Sequence, residues 1–263
     1  MELIDSHCHF DAPEFEPDRA AAWQRARTAG VVAQIVPAID ASGWQHLKAV
    51  CNQYPGLFPA YGLHPMALAA HRPEHLDLLR DWIARERPVA IGECGLDFFV
   101  EGLDAQAQQQ YFEAQLRLAR EFDLPVIVHA RRAVDAVIAT LRRIGGLRGV
   151  VHSFSGSREQ AARLHQLGFL VGIGGPVTYP RAQRLRGVVA ALPDTQLVLE
   201  TDSPDQPGAA HRGQRNEPAH LLDVLTTVVE LRNTTPEALA AATTANARRL
   251  FNLAMRPADA ASG

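Results

Sequence analysis

The sequence predicts a single-domain α/β fold of the (β/α)₈ TIM-barrel type. Eight short apolar, β-branched runs alternate with helical patterns at intervals of about 25 to 35 residues, which is the rhythm of repeated βα units. The length of 263 residues is compatible with this fold, because such barrels often contain about 250 residues. Together these observations favour a closed parallel barrel over an open doubly wound sheet.

The predicted elements follow one another without a break. In chain order the strands are residues 3–10, 31–39, 57–63, 89–95, 125–130, 149–154, 169–174 and 197–202. The clearest helical patterns are residues 104–122, where polar glutamines alternate with apolar side chains, and residues 158–167. Two further helices, near residues 217–232 and 236–253, close the chain. The barrel is therefore predicted to span residues 1–253, and residues 254–263, which are small and polar, to form a disordered tail.

Several function classes are disfavoured by sequence features. The segment Gly172-Ile173-Gly174-Gly175 lacks the spacing and the following helix of a dinucleotide-binding loop, so its glycines are interpreted as tight turns. A net charge of −3 argues against a protein that coats long DNA, although a local site can still bind a few phosphates. The apolar content of 47% and charged content of 21% are ordinary for a globular enzyme.

The setting predicted for the protein is the cytoplasm. The first residues show no signal-peptide pattern, and no apolar run approaches the length of a membrane span. The three cysteines form an odd set without metal-type spacing, as expected for reduced thiols. No obligate protein partner is indicated.

Six polar side chains stand near the carboxyl ends of predicted strands, where such residues are costly unless they have a function. His7 and His9 are two positions apart in the first strand, so both point into the barrel mouth, while Cys8 points outward. The other four end the fourth, fifth, sixth and eighth strands: Glu93, His129, His152 and Asp202.

Four imidazoles and two carboxylates at one rim suit a site for two divalent cations, such as Zn²⁺, Mg²⁺ or Mn²⁺. A single strand-end histidine is often only a structural residue with its hydrogen bonds satisfied. Six polar side chains at the ends of strands, all at a similar depth in the barrel, are difficult to explain as structural residues alone. The sequence therefore predicts a metal-dependent hydrolase in which two cations activate a water molecule.

Four segments carry a resemblance to a known family. They are Asp5-Ser6-His7-Cys8-His9, Gly62-Leu63-His64-Pro65, Gly92-Glu93-Cys94-Gly95-Leu96-Asp97 and Glu200-Thr201-Asp202-Ser203-Pro204. On these motifs, and in order over essentially the whole chain, the sequence resembles the TatD family of metal-dependent deoxyribonucleases within the amidohydrolase-like barrel superfamily. The resemblance implies that one metal is held by His7, His9 and Asp202, that the other is held by His129 and His152, and that Glu93 bridges them.

Some members of that superfamily bridge their metals with a carboxylated lysine. The sole lysine of this chain, Lys48, lies in the helical stretch after the second strand and cannot take that role. The resemblance thus leaves the bridge to Glu93. Asp202, a ligand close to the activated water, is the candidate general base, so Glu93 and Asp202 are the predicted catalytic residues.

Other residues are candidates for substrate binding. His64, at the end of the third strand, either contacts the substrate or has a structural role. Arg131 either clamps a phosphate with its fork of donors or forms a surface salt bridge. Ser153 and Ser155, which follow the sixth strand, can hydrogen-bond the same group. Arg132 is expected to be solvated.

Further polar and aromatic residues near the predicted mouth have one or two interpretations each. Glu200 lies one layer below Asp202 and is expected to order a ligand histidine. Asn216 either shapes the rim or caps the following helix, and the cap is the favoured interpretation. Phe98, Phe99 and Tyr179 either stack on nucleobases or cap the core. The histidines outside the site are expected to be exposed: His46, His71, His75, His165, His211 and His220.

The resemblance implies hydrolysis of DNA phosphodiester bonds, with single-stranded 3′ ends as the substrate. An alternative is hydrolysis of a carbonyl ester or amide, such as an aminoacyl-tRNA ester, at the same site. A non-catalytic binding barrel is disfavoured, because a scaffold has no need of six metal ligands. The polar segment 203–215 is expected to overhang the mouth in any of these cases.

Overall fold

Eight parallel strands form one sheet in which each strand pairs with the next along the chain. The computed structural model describes residues 1–253, so the predicted tail at residues 254–263 lies outside the described part. The strands are β1 (Leu3–Asp5), β2 (Val31–Pro37), β3 (Leu57–Tyr61), β4 (Ala90–Asp97), β5 (Val126–Arg131), β6 (Gly149–Val151), β7 (Phe169–Ile173) and β8 (Leu197–Leu199). The backbone N–H of Ser6 donates to the carbonyl of Leu199, which joins the last strand to the first. The predicted (β/α)₈ barrel is confirmed.

Helices follow every strand on the outside of the barrel. They are α1 (Arg19–Thr28), α2 (Trp44–Gln53), α3 (Glu74–Glu86), α4 (Ala105–Glu121), α5 (Val134–Ile144), α6 (Arg158–Gln166), α7 (Gln183–Ala191), α8 (Leu221–Arg232) and α9 (Pro236–Phe251). Local sequence sets several of their starts. The Asp104 carboxylate accepts two backbone N–H bonds at the start of α4, and Ser157 and Gln160 form a reciprocal capping box at α6. No helix among residues 1–253 is long and apolar enough to cross a membrane.

Six of the eight strands end earlier than predicted, and β1, β6 and β8 do so by at least three residues. β1, β6 and β8 stop at Asp5, Val151 and Leu199, one to three residues before the polar side chains of His7, His152 and Asp202. The chain nevertheless continues in register, because the N–H of Cys8 donates to Ile35 and that of His152 to Val128. The candidate ligands of these strands therefore stand just beyond the regular ladder, where the backbone turns towards the loops.

Apolar side chains fill the barrel below the mouth. Ile35, Ile127 and Val198 are fully buried there, beside small residues from neighbouring strands. Leu250 and Phe251 of α9 join the same cluster. The side-chain amide of Asn246 in α9 donates to the carbonyl of Leu197 at the start of β8. α9 therefore packs against the amino end of the barrel, and the polar site lies at the opposite, carboxyl end.

Gly95→Ala should destabilise the fold, because β4 and β5 approach too closely at this point for a side chain. Gly95 has φ +144, and a Cβ atom there would lie 2.1 Å from the carbonyl oxygen of His129. We expect the free energy of unfolding to fall by at least about 2 kcal/mol through strain and overpacking. Urea denaturation measures the change. Gly102→Ala is the control, since Gly102 also has a positive φ but has no atom within 4 Å of the added Cβ. Equal losses for the two variants would contradict the steric explanation.

Candidate metal centre

All six predicted ligands border one cavity at the carboxyl end of the barrel or lie directly beneath it. The cavity has a volume of about 840 Å³, and its walls include His9, Glu93, His129, His152 and Asp202. The sixth residue, His7, is completely buried under the cavity. The structure thus brings together residues as distant in the chain as His7 and Asp202.

Glu93 occupies the centre of the histidine cluster. Its Oε1 atom lies close to the nitrogens of three imidazoles: His152 Nε2 at 2.7 Å, His64 Nε2 at 2.8 Å and His129 Nδ1 at 3.1 Å. Its Oε2 atom faces two others: His7 Nε2 at 3.2 Å and His9 Nε2 at 3.5 Å. The two oxygens of one carboxylate therefore face two separate groups of imidazoles, which is the arrangement that a bridging ligand requires.

Asp202 completes the group formed by His7 and His9. Its Oδ1 atom lies 3.4 Å from His7 Nε2 and 3.7 Å from His9 Nε2, and the two imidazole nitrogens are 3.2 Å apart. His9 Nδ1 lies 3.2 Å from the carbonyl oxygen of Pro37. Because a carbonyl can only accept, Nδ1 carries the proton, and in the neutral ring Nε2 presents its lone pair to Asp202 and Glu93.

His129 is oriented by Asp97, a residue that the sequence interpretation included only as part of a motif. Asp97 Oδ2 accepts a hydrogen bond from His129 Nε2 at 2.8 Å, which turns Nδ1 towards Glu93. Burial alone would raise the pKa of Asp97, but hydrogen bonds from His129 and from two backbone N–H groups lower it to about 2. The spacing could have revealed it, since Glu93 and Asp97 are four residues apart on one strand and face the same side.

His64 lies in the same cluster and bonds to Glu93 itself. The backbone N–H of Met66 donates to His64 Nδ1, so Nε2 carries the proton in the neutral ring and donates to Glu93 Oε1 at 2.8 Å. His64 is 5% exposed and borders the cavity. Contact between His64 and a substrate stays a prediction.

Gln206 is a second residue that was missed. Its side-chain amide donates to Asp202 Oδ2 and accepts from the hydroxyl of Ser153. Gln206 belongs to segment 203–215, which borders the cavity through Pro204, Asp205 and Gln206, as expected for a loop that overhangs the mouth. The turn-forming residues of this segment identify it as a loop, but the sequence does not show that the side-chain amide of Gln206 bonds to Asp202.

Glu200 lies beside His152 but makes no hydrogen bond to it, so the expected ordering of a ligand histidine by this carboxylate is not seen. Its Oε1 atom is 3.8 Å from His152 Nδ1 and accepts the backbone N–H of Ser153. Burial raises the pKa of Glu200 to about 8 despite the nearby imidazole. The space it occupies exists because residue 172 is glycine: a Cβ there would lie 2.0 Å from Glu200 Oε2.

The electrostatics of the cluster favour positive charge next to the carboxylates. Burial opposes ionisation of Glu93, but the imidazoles, His152 foremost, hold its pKa well below the usual value. Burial likewise opposes protonation of His9 and His152, yet Glu93 raises their pKa values to about 9 and about 10. Burial lowers the pKa of His7 and raises that of Asp202. The site therefore attracts cations.

Divalent cations fit these residues. Glu93 Oε2 is buried without a hydrogen-bond partner, although buried carboxylate oxygens are nearly always satisfied. Three groups of side chains place their ligand atoms within 4.8 Å of one another: His7, Glu93 and His152; His7, His9 and Asp202; His64, Glu93 and His129. Imidazole and carboxylate donors of this kind suit Zn²⁺ and related ions. The sole lysine is remote, as predicted, since Lys48 pairs with Glu86 at 2.7 Å.

The rim of the cavity holds the remaining substrate candidates. Arg131 is exposed and stacks on the ring of Phe99, with its guanidinium carbon 3.7 Å from the ring centroid. Arg132, expected to be merely solvated, lies over the same ring at 4.6 Å. Ser153 and Ser155 also border the cavity, and the Ser155 carbonyl accepts from Arg184.

Two expectations outside the cluster, those for the exposed histidines and for Asn216, need correction. Six histidines were expected to be exposed, but only His46 and His165 are exposed. His75 is buried, and the other three are half-buried: His71, His211 and His220. Asn216 does not cap α8, which begins five residues later; it is buried, and its amide donates to the carbonyls of Thr201 and Asp205. Tyr179 donates to the carbonyl of Pro207 and so supports the overhanging loop. Each of these contacts joins distant segments, which local sequence patterns do not reveal.

Comparison with known proteins agrees with this geometry. The family described as "TatD related DNase" matches residues 4–252. The chain belongs to the TatD family. It is 44% identical over 254 residues to the "Uncharacterized metal-dependent hydrolase YjjV" of Escherichia coli (strain K12), a match that covers 95% of this chain and 98% of that protein. The crystal structure of that TatD homologue superposes with a TM-score of 0.91 at 42% identity, covering 96% of this chain and 98% of the other.

Another TatD relative has a more specific name. The "3'-5' ssDNA/RNA exonuclease TatD" of Pantoea sp. (strain At-9b) is 36% identical over 263 residues, covering 96% of this chain and all of that protein. Together, the family match and the His, Glu and Asp cluster make this chain a TatD-family metal-dependent hydrolase, an enzyme of the (β/α)₈ barrel class.

Proposed function

We propose that this TatD hydrolase is a cytoplasmic deoxyribonuclease that cleaves phosphodiester bonds at single-stranded 3′ ends of DNA with the aid of two divalent cations. The observation that carries the proposal is the position of Glu93, whose two oxygens face different groups of imidazoles beside a cavity that also holds Arg131. A relative at 36% identity is named as an exonuclease of single-stranded DNA and RNA, which supports the substrate class. Three free cysteines are typical of a reducing compartment.

The ligands fall into two proposed groups. His7, His9 and Asp202 would hold one cation, His129 and His152 would hold the other, and Glu93 would contact both. Bound there, the cations would supply a Lewis acid for the phosphoryl oxygens and an acidified water as the nucleophile. Asp97 keeps Nδ1 of His129 directed at the centre by holding its Nε2 proton.

The protein side chains orient the substrate and move the proton. In this proposal Asp202 accepts the proton of the attacking water, which is supported by its Oδ1 at 3.4 Å from His7 Nε2 and by the Gln206 amide that holds Oδ2. Arg131, fixed on Phe99, presents its donors to a non-bridging phosphate oxygen. The Ser155 hydroxyl at the rim is a further donor to that phosphate, while Ser153 acts through Gln206.

Removal of divalent cations should abolish the activity. After exhaustive EDTA treatment and dialysis, we expect hydrolysis of single-stranded DNA to fall to background, because both proposed catalytic residues, Glu93 and Asp202, are also proposed metal ligands. Adding back Mn²⁺, Zn²⁺ or Mg²⁺ one at a time should restore it. Undiminished turnover by the dialysed protein would contradict the metal-dependent mechanism.

A substrate panel tests the proposed chemistry. We expect the metal-loaded protein to degrade 3′-terminal single-stranded DNA faster than blunt duplex DNA, since the site lies within a cavity that an end enters more readily than a rigid helix. Carbonyl esters, including an aminoacyl-tRNA ester, are assayed with the same sample. Preference for these esters over DNA would replace the deoxyribonuclease proposal with the carbonyl hydrolase alternative.

A further inference from the structure

A stacked cluster of side chains stands at one side of the cavity mouth. It consists of Phe99, Arg131 and Arg132, which we call the aromatic–arginine arm. Both guanidinium groups lie within 4.6 Å of the centroid of the Phe99 ring, and that residue is still 43% exposed. Arg131 and Arg132 are exposed as well. The arm therefore combines an accessible ring with positive charge, the two features by which proteins hold single-stranded nucleic acid.

The arm is fixed relative to the candidate metal centre. The backbone N–H of Phe99 donates to Asp97 Oδ1 at 2.8 Å, and Oδ2 of the same carboxylate holds His129. The backbone N–H of Phe98 donates to the carbonyl of Arg131 at 2.9 Å, which joins the two loops that form the arm. A single carboxylate thus connects a candidate metal ligand to the ring at the rim.

The opposite side of the mouth has the opposite charge. Between β1 and α1, Glu14 borders the main cavity, while Asp11 and Glu16 border a smaller cavity of about 350 Å³ that also touches His9. Two neighbouring arginines are already engaged: Arg19 donates to three backbone carbonyls of this segment, and Arg215 donates to the carbonyl of Glu14 and pairs with Asp18. Among residues 1–253, Arg131 is the one arginine or lysine that borders either cavity.

The barrel order places these two charged sides across the mouth from each other. The two arginines lie at the carboxyl end of β5 and the acidic segment follows β1, and the eight strands lie in sequential order around the barrel. A single strand of DNA carries a negative charge on every phosphate. Its phosphates are attracted towards the arm and repelled by the acidic segment.

We propose that single-stranded DNA leaves the metal centre over the aromatic–arginine arm, with a base stacked on Phe99 and a phosphate next to Arg132. This inference rests on the proposed deoxyribonuclease function and adds a direction to it. The end of the strand lies in the cavity, and the part that continues passes the β5 side. Phe99 and Arg132 then contribute to the affinity for DNA by binding the part of the strand that lies outside the cavity, beyond the phosphate that is cleaved.

Binding measured without turnover tests the stacking contact. Fluorescence anisotropy of a fluorescein-labelled oligothymidylate, with EDTA present, gives the Kd of each variant. We expect Phe99→Leu to weaken binding about tenfold, since loss of one base–aromatic stack has about that effect. Phe99→Tyr keeps the ring and should restore the affinity. The matched control is Arg85→Ala, which removes an arginine stacked on Trp82 in the last turn of α3, far from the mouth.

Salt dependence tests the charged contact separately. The slope of log Kd against log salt concentration should be smaller by about 0.7 in Arg132→Ala than in the wild type. This is the decrease expected for the loss of one phosphate contact on a single strand. Arg132→Lys retains the charge and should recover the slope. Arg85→Ala has the same change in net charge and should leave the slope as in the wild type.

The outcomes separate the path of the strand from the chemistry of the site. Equal Kd values and salt slopes for the arm variants and Arg85→Ala would overturn the proposed path, as would the absence of measurable binding by the wild type. If the metal-loaded protein still degrades DNA in that case, the proposed function stands without the path. If no cation supports DNA hydrolysis, the proposed function itself fails, whatever the anisotropy shows.

Discussion

Asp202→Asn should retain cation binding at reduced affinity and yet hydrolyse single-stranded DNA at least about a hundredfold more slowly than the wild type. General-base participation contributes roughly 10²- to 10⁴-fold to a rate. An amide oxygen can still ligate a cation at the position of Oδ1, but it cannot take the proton of the attacking water. Gln206 can turn its own amide to pair with the new one, so the loop contact is retained.

A metal titration distinguishes a base from a ligand. Rates of the variant and the wild type are measured over increasing cation concentration until both are saturated. The hundredfold loss should persist at saturation, because no added cation replaces a proton acceptor. Asp205→Asn serves as the control, since it removes the same charge from the same cavity wall three residues further on. Near-wild-type rates for Asp202→Asn at saturating metal would leave Asp202 as a ligand alone.

Glu93→Ala should deplete both cation positions and reduce hydrolysis to background. One carboxylate faces both groups of imidazoles, so its loss affects the binding of each cation. His152→Ala, by contrast, should deplete mainly one position, because its Nε2 faces Oε1 but not Oε2. Metal content per chain, measured by elemental analysis of both purified variants, decides between these patterns. Full occupancy in Glu93→Ala would mean that Glu93 is not the bridge.

Thermal stability supplies a second readout of the bridge. A ligand that binds only the folded state stabilises it by about 2.7 kcal/mol at a hundred times its Kd. Added cation should therefore raise the Tm of metal-free wild type by several degrees and that of Glu93→Ala far less. A variant that has merely lost its fold shows no cooperative transition, so misfolding is recognised in the same experiment.

The barrel and the meeting of its candidate ligands at one rim were predictable because each follows from local spacing. Alternation of apolar runs and helical patterns determines the order of the elements, and α/β connections leave few ways to arrange them. Parallel strands end at one rim, so polar residues at several strand ends must meet. His7, Glu93 and Asp202 could therefore be placed at a common site before any coordinate was known.

Contacts between distant side chains were decided only by the tertiary structure. The partner of His129 Nε2, the amide that steadies Asp202 and the ring beneath Arg131 each depend on rotamers set by packing of separate loops. The same holds for Asn216, whose position resembles a helix cap in sequence but whose amide joins two turns of a buried loop. Local spacing shows which residues reach the mouth. Which atom of each side chain faces the mouth depends on contacts with residues that are distant in the sequence.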